Sequence, residues 1–216
     1  MDRVGALLAE APGLERASEL APDRLPVFEA FEQILPFQGL RPGTTVGVSG
    51  VGATSLALAL IARASEESWT AAVGLPALGL RAGAELGIDL DRLVVVPDPQ
   101  EQWTAVLASL VDAFDVVLAH PPEQTSRPHR LNARVREQGA VLVGIGRMDS
   151  DLTLHATNAT WHGIGRGHGH LRTRTLDVTV AGRGAAAQPR HATLWLPDPD
   201  GNVSLAQHTS VIRLHR

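Results

Sequence analysis

The chain reads as an α/β protein: a doubly wound, mostly parallel sheet with an antiparallel C-terminal edge and short N-terminal helices. Short, continuous apolar runs alternate with helical patterns between residues 45 and 145, as expected when both faces of a parallel sheet are covered. Val46 to Ala64 follows the order strand, glycine loop, helix. Beyond Arg147 polar and apolar residues alternate between Gly-rich or Pro-rich turns, the pattern of an antiparallel meander.

Residues 3–20 predict one or two short amphipathic helices broken at Pro12-Gly13, forming an arm over 1–24 ahead of a core domain spanning 25–200. Val27, Phe28, Phe31, Ile34 and Leu35 lie at helical spacing and predict a helix over Val27–Leu35, which Pro36 ends. Gly39 to Gly43 turns the chain into a first strand, Thr45–Ser49, and an alanine-rich helix follows over Thr54–Ala64. Further strands are expected at Trp69–Val73, Leu93–Val96, Val116–Ala119 and Ala140–Ile145. Helices are expected at Leu78–Leu86, Glu101–Ala113 and Arg127–Gln138. Right-handed crossovers join them. The meander is expected to run through Thr157–Gly165, His170–Ala181 and His191–Leu196, and a tail over 201–216 follows the turn at Asp198–Asn202.

With 216 residues and 44% hydrophobic content, the chain is long enough for one domain with an ordinary core. The absence of cysteine excludes disulfides and thiolate metal sites. Neither a long apolar run nor a basic-then-apolar N-terminus is present, so no membrane span or secretion signal is expected and the cytoplasm is the expected compartment. The net charge of −4 hides a split: residues 1–120 carry 7 arginines against 16 acids, and 121–216 carry 12 against 7. Either the second half faces a polyanion or acidic partner, or the two halves pair with each other.

Gly47-Val48-Ser49-Gly50-Val51-Gly52-Ala53-Thr54-Ser55 has the spacing of a phosphate-binding loop, Gly-x-x-x-x-Gly-Lys-[Ser/Thr], with Ala53 in the lysine position. Gly47, Gly50, Gly52, Thr54 and Ser55 retain amides and hydroxyls for a vestigial nucleotide site; alternatively the glycines serve only a tight strand-to-helix turn. The chain contains no lysine, all 19 basic residues being arginine, and no arginine lies within the loop.

His162, His168 and His170 sit among glycines, and a Gly-rich hairpin tip explains them better than a metal site. His120 ends an apolar strand and is expected to be hydrogen-bonded and partly buried rather than a general base. Arg166, Arg172 and Arg174, with Arg183 and Arg190 nearby, form a candidate contact for DNA or a partner; Arg172 and Arg174 at i and i+2 put two guanidinium groups on one face. Only Trp161 is available there for base stacking. Val211, Ile212 and Leu214 make the tail a candidate strand for its own sheet or a partner's edge.

Leu86 to Gln102 resembles the strand and turn that follow the catalytic-glutamate region of bacterial RecA recombinases, and Phe114 to His120 resembles the RecA strand that ends in its Mg²⁺-site aspartate. With the glycine loop in register, the resemblance covers roughly residues 26–196. Within that superfamily, the segment from Leu25-Pro26-Val27 to Gly43 and the eroded loop are most similar to ImuA-type proteins, in particular the actinobacterial ImuA-prime group.

The resemblance implies a RecA-like fold in which the catalytic lysine, glutamate and aspartate fall on Ala53, about Leu75 and His120, and an adenine-stacking tyrosine near Ala82. Charge stabilisation, water activation and metal positioning are lost together. Single losses of comparable kind cost roughly 10²–10⁴-fold in rate. The resemblance therefore implies a pseudo-ATPase with no catalytic residues, resident metal or cofactor. It implies an adaptor in SOS-induced translesion DNA synthesis and mutagenesis. Its partner would be ImuB, a catalytically inactive Y-family polymerase homologue, and through it an error-prone polymerase and the sliding clamp. Two other readings stand beside it: a SulA-like cell-division inhibitor, and a nucleotide-dependent recombinase mediator that binds single-stranded DNA. The sequence leaves the oligomeric state open.

Overall fold

A computed structural model describes residues 23–122, 129–165 and 168–206, and within them a single mixed sheet carries every named strand. The strands are β1 (Thr45–Gly50), β2 (Thr70–Val73), β3 (Leu93–Val96), β4 (Val116–Ala119), β5 (Val141–Ile145), β6 (Leu152–Gly165), β7 (His168–Gly182), β8 (Arg190–Trp195) and β9 (Ser204–Leu205). Their order is β3-β2-β4-β5-β1-β6-β7-β8-β9. Pairing is parallel from β3 through β6 and antiparallel from β6 through β9.

The helices are α1 (Glu29–Glu32), α2 (Ala53–Ser65), α3 (Leu80–Glu85), α4 (Trp103–Ala113) and α5 (His129–Gln138). Two apolar layers cover the sheet. On one face α2 buries Leu56, Leu60 and Ile61 against Val46, Val48, Leu118, Val143 and the inward residues of β6, β7 and β8. On the other, Trp103, Leu107 and Leu110 of α4 and Leu131 and Val135 of α5 cover Ala71, Val73, Val117 and Leu142. Each fully buried Leu, Ile or Phe removes an apolar side chain from water at about 1.5–3 kcal/mol. The short parallel strands gain their stability from being covered on both sides.

The sequence pattern locates β3 and β4 to the residue, and β1, β2 and β5 to within one residue at an end. Two expectations need correction. The Val27–Leu35 helix shrinks to the single turn Glu29–Glu32, because Pro36 restricts Leu35 and Phe28 at the N-cap is extended, with ψ 147°. Its apolar residues are buried nonetheless: Phe31, Ile34 and Leu35 are fully shielded from solvent. The meander's first strand begins at Leu152 rather than Thr157, because Leu152, Leu154 and Ala156 bury against the sheet while pairing parallel to β1. The antiparallel edge therefore starts between β6 and β7.

Residues 1–22 of the expected arm lie outside the described residues. Of the expected tail, Ser204–Leu205 forms β9 on β8, so its first part adds to its own sheet. Val211, Ile212 and Leu214 lie outside the described residues, as does Arg166. No helix among the described residues is long and apolar enough to cross a membrane.

Candidate functional site: the glycine loop and the β7 arginine

β1 ends at Gly50, Val51 and Gly52 make the turn, and α2 begins at Ala53. Each glycine of the loop answers a close neighbour. A Cβ on Gly47 would meet the Ser150 hydroxyl at 2.8 Å. At Gly50, φ is +92° and a Cβ would stand 1.9 Å from the Ala156 carbonyl oxygen, which accepts the Val51 N–H at 3.0 Å. At Gly52, φ is +69° and a Cβ would meet the Arg174 guanidinium at 2.9 Å. The first two contacts fit a tight strand-to-helix turn. The third introduces a cation that the linear motif lacks.

No side chain caps α2, and the first of its amides to find a carbonyl is that of Leu56, on Gly52. Among the described residues the Ala53, Thr54 and Ser55 amides have no acceptor, and Thr54 is exposed. These N–H groups and the helix dipole make the turn electropositive.

Arg174 is held in place from three sides. Its amide donates to the Pro197 carbonyl at 3.1 Å, its carbonyl accepts the Leu196 N–H at 2.7 Å, and its Nε donates to the Leu196 carbonyl at 3.0 Å. The guanidinium lies 5.1 Å from the Trp161 ring centroid on the paired strand, a cation–π contact. Only 8% of the residue is exposed. No carboxylate pairs with it among the described residues. Burial pushes this guanidinium below its ordinary value; guanidinium nevertheless stays charged at physiological pH.

The arginines expected to act together are dispersed. Arg172 is exposed, whereas Arg174 continues the buried series of Leu176, Val178 and Val180. The expectation of two guanidinium groups displayed together for phosphates is therefore corrected: only Arg172 is open to solvent. Arg190 donates to the Leu35 carbonyl at 3.0 Å, and Arg183 pairs with Asp149 at 3.4 Å. Arg183, with Arg41 and Arg136, lines a cleft of about 550 Å³ near the starts of β1 and β6, away from the glycine loop. Among the described ion pairs only Arg134–Asp112 joins the acidic first half to the basic second half.

Leu75 follows β2 and belongs to the core, 9% exposed. His120 follows β4 and is exposed, with no side-chain hydrogen bond among the described residues, which corrects the expectation of a partly buried ring. Its main chain carries the contacts instead: the amide donates to the Val73 carbonyl at 3.0 Å and the carbonyl accepts from Trp103 Nε1 at 3.1 Å. His162 packs against Trp195 at 4.9 Å and meets the Thr175 hydroxyl at 3.2 Å. Among the described residues no three His, Cys, Asp or Glu side chains gather as a metal site.

Residues 33–150 match the family of the MT3502 N-terminal domain. The chain belongs to this family. The matched span runs from the end of the α1 turn through β5, and so includes the glycine loop, Leu75 and His120 but not Arg174. The chain is also 37% identical over 149 residues to the uncharacterised protein Rv3395c of Mycobacterium tuberculosis (strain ATCC 25618 / H37Rv), an alignment spanning 67% of this chain and 66% of that protein.

The feature that sequence reasoning missed is the meeting of Arg174 with Gly52. Its signal was present in the alternation of β7, which sets Arg174 in phase with three buried apolar residues. A long charged side chain in that phase points to a specific inward role.

Proposed function

We propose that this chain is a non-catalytic, RecA-like adaptor of the ImuA-prime type. It acts in the cytoplasm in damage-induced translesion synthesis, bound to an ImuB-type Y-family homologue and through it to an error-prone polymerase and the sliding clamp. One observation carries the non-catalytic part. The ends of β1, β2 and β4, which the RecA resemblance equips for phosphoryl transfer, carry Ala53, the buried Leu75 and the exposed His120. Ala53 offers no charge to a phosphate, Leu75 no base to a water and His120 no carboxylate to Mg²⁺. The parallel sheet with its antiparallel edge is the architecture which that resemblance implies. The partner rests on the resemblance.

The test is a titration of the purified chain against a purified ImuB-type protein, run beside an ATP-turnover assay with Mg²⁺ and single-stranded DNA. Saturable complex formation with turnover at the protein-free background supports the adaptor. Turnover that disappears in Thr54→Ala, or failure to form the complex, overturns it.

A further inference from the structure

We infer that the cleft at the starts of β1 and β6 is a peptide-docking site, and that its occupant is a short acidic segment of a partner protein that also carries apolar side chains. This goes beyond the adaptor reading, because it names the chemistry of an occupant rather than the identity of a partner.

The cleft lies at the opposite end of β1 from the glycine loop. Its volume of about 550 Å³ falls within the range of about 300–1,000 Å³ typical of sites that enclose a ligand. Its floor is apolar and made of Leu40, Val46, Leu152 and Ala186, all buried. Phe37 stands at its lip with 42% of the residue exposed, an apolar ring left in water.

The rim is basic. The lining holds three arginines, Arg41, Arg136 and Arg183, against one carboxylate, Asp151. That carboxylate is already committed: one oxygen accepts from Arg136 at 2.7 Å and the other from the Thr45 amide at 3.1 Å. Arg183 reaches Asp149 through a single contact at 3.4 Å with its side chain 71% exposed, so most of its donors face solvent. Arg41 pairs with no carboxylate among the described residues, and its guanidinium lies 5.4 Å from the Phe37 ring centroid. Arg24, likewise without a carboxylate there, donates to the Phe37 carbonyl at 3.4 Å and to Gln38 Oε1 at 3.1 Å, adding a further cation beside the lip. At Gly43, φ is +77° and a Cβ would stand 3.3 Å from the Arg136 Cα. The turn that follows Arg41 is therefore pressed against the end of α5, and the arginines share one rim.

Charge complementarity selects the occupant. The chain as a whole carries −4, yet around this trough like charges gather with too few countercharges, and an anion relieves their repulsion. Guanidinium forks bind carboxylates through paired hydrogen bonds. The buried floor and the Phe37 ring call for apolar side chains from the same ligand. A nucleic-acid backbone supplies none, and Phe37, the one aromatic lining residue, already has Arg41 over its ring, so base stacking is poorly served. An extended peptide that alternates acidic and apolar residues meets both demands, turning one set toward the rim and the other toward the floor.

The test is selection of random short peptides from a displayed library on the full chain, followed by titration of the enriched peptides in solution. The expected result is enrichment of peptides that combine aspartate or glutamate with leucine, isoleucine or phenylalanine. Their affinity falls about tenfold or more in Arg41→Glu and in Arg183→Glu, and falls in high salt. Both arginines are exposed, so these variants keep the fold. Ala185→Trp is the further variant: the position is exposed and lines the cleft, so the indole fills the trough without changing any charge and binding disappears. Enrichment of no peptide, or of neutral or basic peptides alone, overturns the inference. So does undiminished binding by Arg41→Glu and Ala185→Trp. Citrate that competes as well as the selected peptides assigns the cleft to a small carboxylate and overturns the peptide. Oligothymidylate that binds more tightly than they do, with the same loss in Arg41→Glu, assigns it to nucleic acid and overturns it too. No ImuB-type protein enters these measurements, so this inference and the adaptor reading fail separately.

Discussion

The parallel and antiparallel halves of the sheet bury their apolar side chains in different ways. β2, β4 and β5 are buried along their whole length because helices cover both faces. β7 and β8 bury alternate residues and turn the others outward, so they carry Thr, His, Asp and Arg without exposing a core. The first arrangement fixes position and the second displays chemistry. At the β1–β6 seam the two meet: the turn of a buried parallel strand touches an inward arginine of an alternating one.

The largest expected effect breaks the seam itself. Gly50→Ala places a methyl 1.9 Å from the Ala156 carbonyl on a backbone at φ +92°, whereas Gly87, at φ +93°, has nothing within 4 Å. Gly50→Ala should cost about 3–5 kcal/mol or prevent folding, and Gly87→Ala about 1–2 kcal/mol, the conformational part alone. Urea denaturation of both variants separates contact from backbone strain; equal losses would show that the seam is not tightly packed.

Next in size, Leu118→Ala on β4 and Leu194→Ala on β8 each remove a fully buried side chain from one half. Each should cost about 2–5 kcal/mol. Because both leucines belong to one continuous apolar cluster, each should lower a single shared unfolding transition. Two separate transitions by circular dichroism and tryptophan fluorescence would show that the halves are independent.

A smaller effect sharpens the view of the parallel half as an apolar layer. The Thr70 hydroxyl is buried with no hydrogen-bond partner among the described residues. Thr70→Val keeps the shape and removes the orphaned group, so it should stabilise the chain by about 1 kcal/mol in denaturant titration. Destabilisation would mean that the hydroxyl has an unseen partner.

The smallest effect concerns charge. Arg134 and Asp112 form a two-pronged pair on the surface, and the hydrogen bond to Asp112 holds the guanidinium above its ordinary value. A cation raised in this way keeps its contribution through the neutral range and, on the basic side, loses it only under strongly alkaline conditions. Arg134→Gln should therefore cost only a few tenths of a kcal/mol across the pH range 6–9, less in high salt. A larger loss would mean that attraction between the acidic and basic halves contributes materially to the fold.

The sequence by itself determined the layered α/β class, the bounds of β3 and β4, and the loss of charge at Ala53. These follow from local periodicity and residue identity, which act over a few residues. It also announced the alternation of β7. Only the tertiary structure decided the rest. Val27–Leu35 was limited to one turn by the prolines beside it and by packing. β6 was extended to Leu152 because its inward residues found β1. His120 was left exposed, while its main chain bonds Val73 and Trp103. Arg174 was brought onto Gly52, 122 residues earlier in the chain, by the strand order that lays β6 and β7 beside β1. Such a contact depends on sheet register between segments distant in sequence, which no local pattern encodes.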